Sequence, residues 1–163
     1  MPKGPDLGML AVRFAAIDVV TAYAMALDAC DWVAFRNLFE EEIDLDYSSL
    51  GSLKGRIPAQ AWVDRCKVLG GFDATQHKVS NFVVEPGQDA ARVTCYVDAA
   101  HFIGDLAGFA CGTYVHELSQ HRGVWKIRGC AFTVAGYATG RAAFDAAFDA
   151  ARAAHARRSG APR

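Results

Sequence analysis

From Leu7 to Ala29 the apolar positions follow a helical spacing. Leu10, Phe14, Ile17, Thr21, Ala24 and Asp28 recur every three or four residues and so share one face. Asp31 is placed to cap a second, short helix, Trp32 to Phe39, with Trp32, Phe35 and Phe39 on one side. The period then falls to two: Ile43, Leu45 and Tyr47 alternate with Asp44, Asp46 and Ser48, which predicts a half-buried strand. Ser48 to Arg56 carries two glycines and reads as a loop. Pro58 suits the first turn of a third helix, running to about Leu69 and stopped by Gly70-Gly71.

The second half reads as strands. Thr75–Glu85 and Ala90–Ile103 flank the turn sequence Pro86-Gly87-Gln88-Asp89, and Phe109–Ser119 and Val124–Ala135 flank Gln120-His121-Arg122-Gly123. From Gly140 onward, Phe144, Ala147, Phe148 and Ala151 mark an amphipathic helix that either packs on the sheet or closes a pocket mouth. Helices followed by hairpins give an α+β domain, and a curved antiparallel sheet wrapped around helices makes a cone with a mouth. Residues 7–156 are expected to form this single domain. Residues 1–6 and 157–163, rich in Pro, Gly and charge, are expected to fray.

Composition narrows the function classes. The chain has 163 residues, 52% of them hydrophobic and 21% charged, enough for one domain with a packed core and incompatible with wholesale disorder. Seventeen Lys and Arg against eighteen Asp and Glu give a net charge of −1, so nothing draws the chain to nucleic acid or an anionic membrane. Its uncharged apolar runs fall short of the roughly 20 residues needed to cross a bilayer. Its N-terminus has no signal-peptide pattern. The five cysteines, odd in number and without a C-x-x-C pair, read as small apolar fillers in a reducing compartment. A cytoplasmic protein without membrane or nucleic-acid partners is the expectation.

Two residues stand out chemically. Asp28 continues the apolar stripe at the C-terminal end of the first helix, where the helix dipole disfavours an anion. It either faces water at the start of the loop or must be paired inside. His77 shares a strand face with Val79, Asn81 and Val83, opposite Lys78 and Ser80, which sets it on the interior side. His101 ends the inward stripe Val93, Cys95, Val97, Ala99, and Tyr47 ends that of the first strand. Each alone reads as a core polar group; four in an apolar lining must find partners. A buried aspartate beside a histidine fixes the imidazole tautomer and raises its basicity. His116 can point either way and His121 reads as a solvated loop residue. Their spacing across a strand and turn does not match a zinc site, and no metal is expected. The chain lacks a phosphate-binding glycine fingerprint and a Gly-x-Ser-x-Gly elbow.

The segments Leu27-Asp28-Ala29-Cys30-Asp31-Trp32, Ile43-Asp44-Leu45-Asp46-Tyr47, Thr75-Gln76-His77, then His101 and Gly123-Val124-Trp125-Lys126-Ile127 resemble the SnoaL-like branch of the nuclear-transport-factor-two-like superfamily. The pattern is similar to that of the scytalone dehydratases and, more distantly, the hexachlorocyclohexane dehydrochlorinases, over about Leu10 to Ala135. The resemblance implies a cystatin-like α+β barrel with a deep pocket and no cofactor. It implies catalytic roles for Asp28, His77, His101 and Tyr47, with Asp28 and His77 as the proton-transfer pair shared by both groups. It places Leu27, Asn81, Gly112 and Tyr114 on the substrate, Leu27 standing where the dehydratases carry a second tyrosine. Gly112 and Tyr114 replace a serine and an asparagine, which departs from the dehydratases' own substrate.

The expected activity is cofactor-independent proton transfer on a hydrophobic cyclic carbonyl or polyketide-like substrate. Dehydration stands first, with isomerisation or cyclisation by the same pair as alternatives. On this reading Tyr47 and His101 donate hydrogen bonds to the developing enolate or assist a leaving hydroxyl. The rival from another class is a non-catalytic small subunit of an aromatic-ring-hydroxylating dioxygenase. A homo-oligomer, dimer or trimer, is implied by the resemblance.

Overall fold

The computed structural model describes residues 6–160. Asp6, expected to fray, caps the first helix: its carboxylate accepts from the backbone N–H of Gly8 and Met9. The rest of the expected N-terminal tail, residues 1–5, and the last three residues of the C-terminal one lie outside the described residues. The elements are α1 (Leu7–Asp28), α2 (Trp32–Asn37), β1 (Phe39–Asp46), a 3₁₀ turn (Ser48–Leu50), β2 (Lys54–Pro58), α3 (Ala59–Cys66), a second 3₁₀ turn (Lys67–Gly71), β3 (Ala74–Pro86), β4 (Ala90–Ile103), β5 (Leu106–His121), β6 (Val124–Gly136) and α4 (Arg141–Gly160). Helix α4 therefore continues beyond Arg157, where fraying is expected from sequence.

The six strands form one curved, unclosed sheet in the order β2-β1-β6-β5-β4-β3. It is an α+β cone as expected, although the sheet does not close into a barrel. Long hairpins join β3 through β6, and the loops are tighter than the sequence suggests. Only Arg122 and Gly123, both with positive φ, separate β5 from β6, the backbone of a two-residue hairpin turn. Two features depart from the sequence reading. Lys54–Pro58, read as the end of a loop through Arg56 and the start of a helix at Pro58, is an edge strand paired antiparallel with β1; its short polar composition hides it. And β1 pairs with β6 in parallel, so the sheet is mixed. That pairing brings the first strand beside the last and carries Tyr47 into the interior of the cone.

The facing of α1 also differs. Its buried residues are Ala16, Val20, Tyr23, Ala24, Ala26 and Leu27, whereas Phe14 is 64% exposed and Thr21 faces outward. The helix is apolar almost all round, so spacing alone does not select a stripe. By length and composition it could also cross a membrane, although it carries Arg13 and Asp18; here it lies against β3 with its inner face in the core.

Candidate active site

Helix α1 ends at Asp28, and β3 is the edge strand beside it. An edge strand leaves backbone N–H groups unpaired by the sheet, and Asp28 takes one of them. Its Oδ2 accepts from the His77 backbone N–H at 2.8 Å. Its Oδ1 accepts from the Thr75 hydroxyl at 2.9 Å and from His77 Nδ1 at 2.7 Å. The helix C-terminus that should repel the carboxylate is thus outweighed by three donors. Burial pushes the Asp28 carboxyl up. The His77 ring and backbone donors, the attraction of His77 and the Thr75 hydroxyl more than offset this and hold it below the ordinary carboxylate value. The Asp28 side chain is 22% exposed and that of His77 only 6%. With Nδ1–H given to a carboxylate, the His77 tautomer is fixed and its Nε2 lone pair is the one available to a ligand.

His77 lines a chamber of about 450 Å³, a size that encloses a drug-sized ligand. His101, 3% exposed, lines it too, its ring edge-on to His77 at 5.3 Å. His101 Nδ1 lies 3.3 Å from the Gly108 carbonyl oxygen and can only donate to it. Burial, reinforced by repulsion from His77, pushes the His101 pKa down to about 3. The ring is therefore neutral, and Nε2 is an acceptor. This corrects the expectation that His101 donates to an enolate: its one N–H is already spent on the backbone.

Tyr47 is buried, and its hydroxyl meets that of Tyr23 at 2.7 Å. Burial pushes both phenols far above their ordinary value, so both remain O–H donors. Leu27 and Tyr114 line the same chamber. Asn81 does not. Its backbone adopts φ 55° at a β-bulge between Ser80 and Val83, which reverses the alternation, so that Asn81 and Val83 face out and Val84 goes in. Gly112 is buried behind the wall, where a Cβ would collide with the Thr133 carbonyl and the Phe132 ring. Its role is to let β6 close against β5 at a register shift.

Several lining residues escape the sequence reading. Tyr23 sits one turn before Leu27 and would emerge from a stripe through Ala16, Val20, Tyr23 and Leu27. Trp62 packs against Tyr47 with ring centroids 4.4 Å apart and the planes tilted by 48°. Phe144 and Phe148 of α4 pack on His101, and Phe148 also meets Phe72, so this helix both packs and forms a chamber wall. His116 is fully buried under Tyr23 and Tyr114 with neither ring nitrogen partnered among the described residues, while His121 is exposed and rests on Glu40. No group of three or more metal-ligating side chains is found among the described residues.

A curved sheet cupping a chamber, with a histidine on its wall backed by an aspartate, is the architecture of an α+β protein of the nuclear-transport-factor-two-like class. The chain belongs to the SnoaL-like domain family, whose model matches residues 9–131. Three solved structures resemble it. The Kfla4162 protein of Kribbella flavida has a TM-score of 0.75 at 20% identity, covering 88% of this chain and 98% of that one. A candidate scytalone dehydratase of Novosphingobium aromaticivorans has a TM-score of 0.71 at 21% identity, covering 78% and 87%. The hexachlorocyclohexane dehydrochlorinase LinA-type3 of Novosphingobium barchaimii has a TM-score of 0.67 at 19% identity, covering 82% and 92%. At these identities the likeness establishes the fold, including its cystatin-like character, and nothing finer. None of the curated proteins matches the chain.

Proposed function

We propose that this protein is a cofactor-independent lyase that removes water from a hydrophobic cyclic β-hydroxy carbonyl compound, with Asp28 and His77 as its proton-transfer pair. His77 Nε2 takes the proton next to the carbonyl, and Asp28 stabilises the imidazolium that forms. The electron pair moves to the carbonyl oxygen, which Tyr47 meets as a hydrogen-bond donor. The enolate then collapses, the carbon–oxygen bond to the β-hydroxyl breaks, and the proton on His77 leaves with it as water. His101 Nε2 fits as acceptor for a substrate hydroxyl, holding it beside the ring that will protonate it. Isomerisation or ring closure shares the first step and differs only in where the enolate returns its electrons.

The observation that carries this reading is the 2.7 Å contact between Asp28 and His77 Nδ1 on the wall of an aromatic-lined chamber. A positioned general base contributes about 10²–10⁴-fold. In a panel of cyclic β-hydroxy ketones followed by enone absorbance, His77→Ala and Asp28→Asn should each lower kcat/KM by at least the lower figure, with circular dichroism unchanged. Folded variants that keep wild-type turnover would overturn the mechanism.

A further inference from the structure

The lining of the chamber changes character at its mouth. Of the described residues that line it, only Gly51, Arg65, Arg141 and Arg152 are exposed, so three guanidinium groups and one glycine mark where the chamber meets solvent. Arg141 and Arg152 bracket Phe144 and Phe148 on one face of α4, the face that packs on His101. Arg65 comes from the last turn of α3. The one carboxylate on the lining, Asp145, is committed to Arg141, whose Nε donates to its two oxygens at 2.8 and 2.9 Å. Arg152 pairs with Asp149, which lies off the lining. Arg65 pairs with no carboxylate among the described residues; its Nε donates to the Ser52 hydroxyl at 3.3 Å, leaving the outer fork of the guanidinium free. A mouth of one sign stands out on a chain whose net charge is −1, and a neutral ligand makes no use of it. A guanidinium fork matches the two oxygens of a carboxylate, and a cleft with low-dielectric walls focuses the field of the charges around it.

We infer that the chamber takes ligands with a hydrophobic ring and a carboxylate tail, the ring held among the aromatic side chains and the carboxylate met at the mouth by Arg65. Arg141 and Arg152 raise the positive potential there. As a substrate class this rests on the proton-transfer reading of the same chamber; as a binding preference it does not. The three arginines are exposed, so each contributes modestly and the preference falls as salt rises.

The test compares 2-naphthylacetate with 2-naphthylacetamide, ligands of nearly the same shape that differ in charge, by calorimetric titration of the intact protein at neutral pH. At low ionic strength the acid should bind about fivefold more tightly than the amide, and about 1 M salt should erase most of the difference. Arg65→Gln should cut the ratio of the two affinities about fivefold, and Arg65→Glu should reverse the preference. Arg152→Gln, on the other element, should narrow the ratio in the same direction. Equal affinity for the two ligands, or an acid preference that survives Arg65→Glu, would overturn the mouth site. So would a preference lost in His77→Ala but kept in Arg65→Gln, which would seat the carboxylate on the imidazole. Acid preference without turnover of any β-hydroxy ketone, carboxylated or neutral, would sustain the mouth site and sink the lyase. His77-dependent turnover of neutral ketones without acid preference would do the reverse.

Discussion

Asp28 occupies the pole of a helix where exposed carbonyls disfavour an anion, and three donors from β3 hold it there. Its folded pKa lies below the ordinary carboxylate value, so it adds stability that is complete above the normal range, near pH 4, and is lost as pH falls through the lower folded value. Thr75→Val removes one donor. It should raise the Asp28 pKa measured by NMR titration and cost about 1 kcal/mol at neutral pH. It should also flatten the loss of stability below pH 4. His116 also weakens the fold in acid, from a different cause. Burial pushes its pKa down to about 3, so the unfolded chain takes up a proton that the folded state refuses, and stability drops as pH falls from about 6.5 toward 3. Replacing this orphaned ring by Leu should leave the protein at least as stable at pH 7 and make its urea midpoint less sensitive to acid. Part of the slope will remain, because His101 is depressed by the same cause. Asp28 and His77 are legible in the sequence by their odd placement. His116 is not, because alternation shows which side a residue faces only when its strand's inner side is known.

Two elements carry most of what the sequence concealed. In β3, Lys78 correctly turns His77 inward, but the bulge at Asn81 reverses every side chain beyond it. The left-handed backbone there suits Asn or Gly. Asn81→Val should cost about 1–2 kcal/mol in chemical denaturation, whereas Asn81→Gly should be nearly neutral. Helix α4 docks where Gly71 leaves no room for a side chain: a Cβ there would run into the Ala151 carbonyl. Gly71→Ala should therefore lift α4 from the second 3₁₀ turn. Thermal melts should record lost stability, and chamber ligands should bind more weakly, because Phe144 and Phe148 leave the wall with the helix.

The cone exists as a whole because its first strand joins its last. The parallel β1–β6 pairing turns a run of hairpins into a cup and sets Tyr47 beneath α1, within reach of Tyr23. A chamber built this way is an uncollapsed space, and a ligand that fills it should stabilise the fold. At a hundred times its Kd the gain is about 2.7 kcal/mol, readable as a rise in Tm. Ala110→Phe, which plugs the chamber from β5, should abolish that rise. Most of the element order, the switch from helical to strand periodicity, the α+β class and the odd placement of Asp28 and His77 were legible in the sequence, since each is written in spacings of two to four residues or in a residue type at odds with its stripe. The face of α1, the position of Asn81, the parallel strand pair and the acceptor state of His101 were decided only by the tertiary structure. Those depend on contacts between distant segments, such as the pairing of Leu45 with Cys130, and on which backbone carbonyl a ring happens to meet.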